Sequence, residues 1–271
     1  MKKSIAILLV ALLVLSAASA FAAEKITIGV TAMPHAAIIE YIKPAYEALG
    51  YELDVVIADQ YPLFNPATAA GDTDANYFQH TPYMDAYNTD VSDAEKLIAA
   101  FAVHYEPLGL YAGQKKSLAE AADGDAIAVP NDSSNYMRAL LLLQEAGLIT
   151  LPEDASAATS YTKEDVVSYA VAIEINEMNA ELIPAAIEDV SFVVINGNYA
   201  VAAGFSSAAD ALQREPVDGS VAATYGNIVA IRPADVDTQW VKDLQSVILT
   251  DDVREFINGN DDFGGAVVPV F

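Results

Sequence analysis

The chain has 271 residues, enough for one large or two modest domains around a sizeable core. Hydrophobic residues make up 54% of it and charged residues 19%, which excludes a disordered or fibrous chain. The net charge of −25, from 38 acidic against 13 basic residues, excludes a nucleic-acid partner, and the absence of cysteine excludes disulfides, thiolate metal sites and thiol catalysis.

In chain order, Lys2 and Lys3 precede an apolar run over residues 5–15 and small residues over 16–23. That order predicts a secretory signal peptide, residues 1–22, cut after Ala22. The run is too short for a membrane span of about 20 residues. An exported, periplasmic protein is therefore expected.

Residues 26–30 then form a β-branched strand pattern, and Ile38, Ile42, Ala45, Tyr46 and Leu49 recur at helical spacing before Gly50 ends the run. Residues 53–57 resume strand character and complete a βαβ unit. A second unit follows. Strand 126–129 leads through Asn131-Asp132-Ser133-Ser134 into a helix with Ala139, Leu140, Leu143 and Ala146 on one stripe, closed by Gly147. Residues 170–175, a helix near 180–187 and residues 192–195 repeat the alternation, after a polar stretch at 150–168 that reads as a surface loop.

Two sets of βαβ elements predict an α/β protein of two lobes. Residues 103–111, with Glu106-Pro107 at their centre, read as one crossing between lobes, and 225–231 as the return. Lobe 1 is then 23–106 plus 226–271, and lobe 2 is 107–225. A final amphipathic helix through Trp240, Val241, Leu244 and Val247 should pack on lobe 1. Ligands of open α/β sheets bind at the carboxyl ends of strands, so the cleft between the lobes is the expected site.

Three segments carry chemistry. Residues 74–85 place Tyr77, Phe78, Tyr83 and His80 among amide side chains where a strand should hand over to a helix, an apolar slot with a polar rim. Residues 131–138 open a helix whose free N–H groups favour an anion, with Arg138 adding a planar two-pronged donor. Residues 195–200 end a strand in Asn196-Gly197-Asn198, whose amide oxygens can receive an ammonium group, and Asn227 at the return crossing is similar. An anion site, ammonium acceptors and an aromatic slot together describe a free amino acid. The chain contains no G-x-S-x-G, H-E-x-x-H, P-loop or dinucleotide fingerprint, so no enzyme and no cofactor are expected. The competing reading is a metal-ion receptor built on His35, His80 and His104.

The runs DANYFQHTPYMD (74–85), VHYEPLGLY (103–111), NDSSNYMRALLLLQEAGL (131–148), INGNYA (195–200) and YGNI (225–228) resemble the methionine-binding NlpA/MetQ family of ABC-transporter subunits. The resemblance spans residues 26–257. It implies a type II periplasmic-binding-protein fold closing over L-methionine or a close relative, such as D-methionine or a methionine-containing dipeptide. It also implies a monomer that delivers its ligand to an ABC permease and ATPase. Carried over, Arg138 holds the ligand carboxylate, and Asn196 and Asn227 take the ammonium, while Asn135 assists the residues of the thioether slot. Tyr77, Phe78, His80, Tyr83 and His104 line the thioether slot. Three departures stand out: no lipobox Cys follows the signal, Ser133 stands where Pro is usual, and 152–180, including Glu177-Met178-Asn179, fits the pattern poorly.

Overall fold

The computed structural model describes residues 23–271, so the expected signal peptide lies outside the described residues. Strand β1 (Glu24–Val30) buries Ile26, Ile28 and Val30 on alternate positions, and helix α1 (Ala37–Glu47) lays Ile38, Ile39, Ile42 and Tyr46 against the same core. β2 (Tyr51–Ile57) pairs parallel to β1 along its whole length, the crossover the sequence pattern requires. Then come α2 (Phe64–Ala70), β3 (Ala75–His80), α3 (Thr81–Asp90) and β4 (Ile98–Tyr105). β3 is buried at all six positions.

After β4 the chain enters a second sheet. It runs through β5 (Gly109–Ala112), β6 (Ala126–Pro130), α4 (Ser133–Glu145), the short ribbon β7 (Ile149–Thr150) and β8 (Ser168–Tyr169), then β9 (Glu174–Met178), β10 (Phe192–Ile195), α5 (Gly197–Ala202), β11 (Gln213–Arg214) and α6 (Gly219–Tyr225). It returns through β12 (Gly226–Ile231), followed by α7 (Gln239–Ile248), α8 (Asp251–Gly259) and β13 (Val268–Pro269). The first sheet has the order β13-β4-β12-β3-β1-β2 and the second β11-β5-β10-β6-β9. The chain thus leaves the first sheet at Glu106–Leu108 and rejoins it at Gly226.

Each sheet has its own core. Trp240, Val241, Leu244 and Ile248 of α7 join Ile38, Ile39 and Ile42 of α1 on the first, and Leu140, Leu142 and Leu143 of α4 join Ile127 and Val129 on the second. A third apolar cluster combines Tyr61, Phe64 and Phe78 from the first lobe with Ile195, Tyr199 and Ala200 from the second, so the two halves meet through aromatic packing at the cleft.

Three local expectations shift. The strand expected at 170–175 lies at Glu174–Met178, because Ser168 and Tyr169 pair with β7 instead. The helix expected near 180–187 is a 3-10 segment over Ala180–Ala186, since Pro184 inside it has no N–H for an α-helical ladder. Tyr225 closes α6 rather than opening the return strand.

Candidate ligand-binding site

The carboxyl ends of β3 and β4, the start of α4, the β10–α5 turn and the start of β12 converge on a small cavity. It is lined by Tyr61, Phe78, Gln79, His80, Tyr83, Glu106, Asn135, Arg138, Asn196, Gly197, Asn198 and Asn227. Seven residues singled out from sequence, Arg138, Asn196, Asn227, Phe78, His80, Tyr83 and Asn135, are brought together here.

Tyr77 and His104, expected in the slot, do not line the cavity. Side chains alternate along β3, so Tyr77 faces the core of the first sheet with Ile28 and Val30, while Phe78 faces Tyr61 and Phe64. His104 is fully buried behind Glu106 and gives its Nε2 to Glu106 Oε1 at 2.7 Å. Tyr77 OH bonds the other ring nitrogen of His104.

Arg138 is buried, and its two-pronged edge is already occupied. Nε and Nη2 donate to Glu215 Oε1 and Oε2 at 2.9 and 2.5 Å, Nη2 donates also to Glu106 O at 3.2 Å, and Nη1 donates to Asn135 Oδ1 at 3.1 Å. These contacts engage four of the five guanidinium N–H groups, and the one left is on Nη1. The Tyr225 ring lies 4.3 Å from the guanidinium carbon. Burial works against the Arg138 charge, but Glu215 outweighs it and holds the group above its ordinary value.

The helix start read as an anion site is also taken. Asp132 caps α4, accepting from Asn135 N at 2.9 Å and from both amide contacts of Asn135 Nδ2, so a carboxylate of the protein itself occupies the positive end. Asn135 in turn accepts from His80 Nε2 at 3.0 Å, across the cleft. His80 caps α3, its Nδ1 accepting from Tyr83 N, which fixes the proton on Nε2. Burial first, and then Arg138, lower its pKa to about 3, so it is a neutral donor.

Acceptors gather on the opposite wall. Asn196 Oδ1 is buried and has no hydrogen-bond partner among the described residues. An orphaned buried acceptor costs about 1–3 kcal/mol, and here it sits in the wall of a cavity. Asn227 Oδ1 accepts from His35 Nε2 at 3.0 Å, and Thr31 Oγ1 lies 2.7 Å from His35 Nδ1. The Glu106 carboxyl is pushed upward by burial, with His35 and Arg138 opposing. An incoming cation would restore part of the solvation it has lost.

The three-histidine metal set does not assemble: His80 points to Asn135, while His35 and His104 meet at 4.9 Å between ring centroids. What does assemble is His35, His104 and Glu106, with ligand atoms within 4.8 Å of one another, the one group of three or more metal-type ligands among the described residues. Each of these ring nitrogens already has a protein partner. Burial lowers His35 to about 4 and His104 to about 3, so both rings are neutral hydrogen-bonding struts.

Sequence reasoning missed Glu106, Tyr61, Gln79 and Glu215 as parts of this assembly, whereas Asn198, read with Asn196 as an ammonium acceptor, does line the cavity. Tyr61 lies between β2 and α2, where no periodic pattern singles it out, yet its hydroxyl reaches Asn198 Oδ1 across the cleft. Glu106 was visible only as a hinge residue. Its flanking His104 and Pro107 were the available signal.

A family profile described as NlpA lipoprotein matches residues 26–271. The methionine-binding lipoprotein MetQ of Bacillus subtilis is 33% identical over 249 residues, covering 91% of this chain and 88% of that protein. The D-methionine-binding lipoprotein MetQ of Salmonella typhi is 35% identical, covering 80% of this chain and 78% of its own. Among solved structures, a nutrient-binding protein from Burkholderia cenocepacia bound to methionine superposes with a TM-score of 0.83 at 34% identity, covering 91% of this chain and all of that one, 100%. A periplasmic substrate-binding protein of an ABC transporter from Coxiella burnetii gives 0.81 at 32% identity, with 90% and 99% covered. The two-lobed α/β architecture is common to them.

Proposed function

The chain belongs to the NlpA lipoprotein family, and from that premise we propose that it is an extracytoplasmic receptor that binds methionine in the cleft and delivers it to an ABC importer. The observation that carries this reading is the unpartnered Asn196 Oδ1 in the wall of a cavity that is also lined by Arg138, whose Nη1 keeps one N–H unengaged. One is an acceptor and the other a donor, as an α-ammonium and an α-carboxylate require. In this pose the ammonium meets Asn196, Asn227 and Glu106, and the carboxylate takes Arg138 Nη1. The thioether lies among Tyr61, Phe78 and Tyr83, whose rings sit 5.5–5.7 Å apart. Sulfur against aromatic rings adds about 0.3–1.5 kcal/mol.

Binding is the whole activity in this reading, with no bond made or broken. Closure joins the lobes through His80–Asn135 and Tyr61–Asn198, and Tyr199 OH bonds Asp59 O from the other side. Glu106–Leu108 and the Tyr225–Gly226 junction are the places where hinge motion would be absorbed. The lobes are residues 23–106 plus 226–271 and 107–225. No described helix is long and apolar enough to cross a membrane. Native mass spectrometry of freshly purified protein tests the reading. A mass increment equal to one methionine supports it, and a chain that stays unliganded after methionine is added at millimolar concentration refutes it.

A further inference from the structure

Glu215 is a buried carboxylate outside the cavity lining, and its role follows from what it holds. It grips Arg138 by Nε and Nη2, accepts from Tyr105 OH at 2.9 Å and Leu108 N at 2.8 Å, and its own N–H donates to Leu108 O at 3.0 Å. Tyr105 and Leu108 flank the outgoing crossing, and Tyr225, which lies over the guanidinium, ends the element before the return. The Arg138–Glu215 pair therefore sits between both crossings as a neutral unit. A free guanidinium would offer a ligand carboxylate its fork and a full charge. This one offers a single N–H from a pair whose net charge is zero.

We propose that Glu215 sets how strictly the receptor requires a free carboxylate on its ligand, by masking the charge of Arg138 and keeping the fork turned away from the cavity. The inference rests on the methionine reading above. It assigns Glu215 as a positioning residue that acts through Arg138. Its consequence is a site that insists on the ammonium, through Asn196, Asn227 and Glu106, and is lenient at the carboxyl end. Ligands with an amide in place of the carboxylate fall within its range.

The sign of the effect is fixed by what remains when the charge of Glu215 is removed. In Glu215→Gln, Arg138 keeps Asn135 Oδ1, Glu106 O and the Tyr225 ring, so it stays at the cavity wall with its charge unmasked. The carboxylate then gains and the amide does not. Calorimetry with L-methionine and L-methioninamide on wild type and Glu215→Gln, with circular dichroism on both, reads the ratio of the two dissociation constants. Wild type should prefer the acid by less than about a hundredfold, and Glu215→Gln should raise that preference about tenfold or more, a modest part of what an unmasked charge at contact supplies at an effective dielectric of roughly 20. An unchanged or smaller ratio in a folded variant overturns the proposal, as an equal loss for both ligands means that Glu215 supports only the fold. If Glu215→Gln does not fold, the wild-type ratio decides, a preference above about a thousandfold being what an unmasked arginine gives. Wild type that binds neither compound refutes the functional reading itself.

Discussion

Replacing Arg138 by alanine removes more than a ligand contact. Glu215 would lose both guanidinium bonds while staying buried, keeping only Tyr105 OH and Leu108 N as donors. Breaking one side of a buried ion pair costs about 3–5 kcal/mol, because the surviving charge has lost its solvation and its partner. Loss of the guanidinium over the Tyr225 ring, 4.3 Å away, adds roughly 0.5–2 kcal/mol. Domains are stable by about 5–15 kcal/mol, so the variant gives up roughly a quarter of the total or more. At roughly 2–4 °C per kcal/mol for a chain of this size, the melting temperature should fall by about 7–28 °C. Thermal melts of wild type, Arg138→Ala and Arg138→Ala/Glu215→Gln at one pH measure this. The double variant should recover much of the loss, since its buried group carries no charge. A single variant that melts within about 2 °C of wild type, or a double variant less stable than the single, refutes the idea that the pair is a coupled buried unit.

Asn196→Leu removes the unpartnered acceptor without leaving a charge behind, so the fold should hold or gain slightly while methionine affinity falls about tenfold or more, read by calorimetry. Gly197→Ala should damage the site by contact, because a Cβ there would stand 2.5 Å from Glu106 Cβ; loss of binding with a drop of about 1–3 kcal/mol in chemical denaturation is expected. Stability should fall as pH drops from about 6.5 toward 3, since His35, His80 and His104 have folded values of about 4, 3 and 3 and the unfolded chain takes their protons first. Glu106, raised by burial, works in the opposite sense, and His→Gln variants at 35, 80 and 104 should each flatten the denaturation profile over that window.

The two-lobed plan was legible because it rests on patterns local in sequence. Apolar spacing gave α1 and α4, β-branched runs gave β1, β6 and β10, and Pro107 with its neighbours marked the crossing. The site was legible as residue types, and the side chains of Arg138, Asn196, Asn227, Phe78, His80, Tyr83 and Asn135 do converge. What sequence could not supply was pairing at long range. Glu215 stands 77 residues from Arg138, and nothing near either announces the other. That pairing turns the guanidinium fork away from the ligand and makes Arg138 part of the frame as well as part of the site. Strand parity decided Tyr77 in the same way, since one position along β3 separates a core ring from a cavity ring. At the start of α4 the same pattern of Asp and Ser fits an anion site or a self-capped helix, and Asp132 makes it the latter.

The most direct test of the central claim is isothermal titration of the ligand-stripped protein with L-methionine and, separately, with zinc ion. The account predicts saturable binding of one methionine per chain, lost or greatly weakened in Asn196→Leu, and no saturable heat from zinc at His35, His104 and Glu106. Saturable zinc binding that is abolished in His104→Ala, with no heat from methionine, would contradict it.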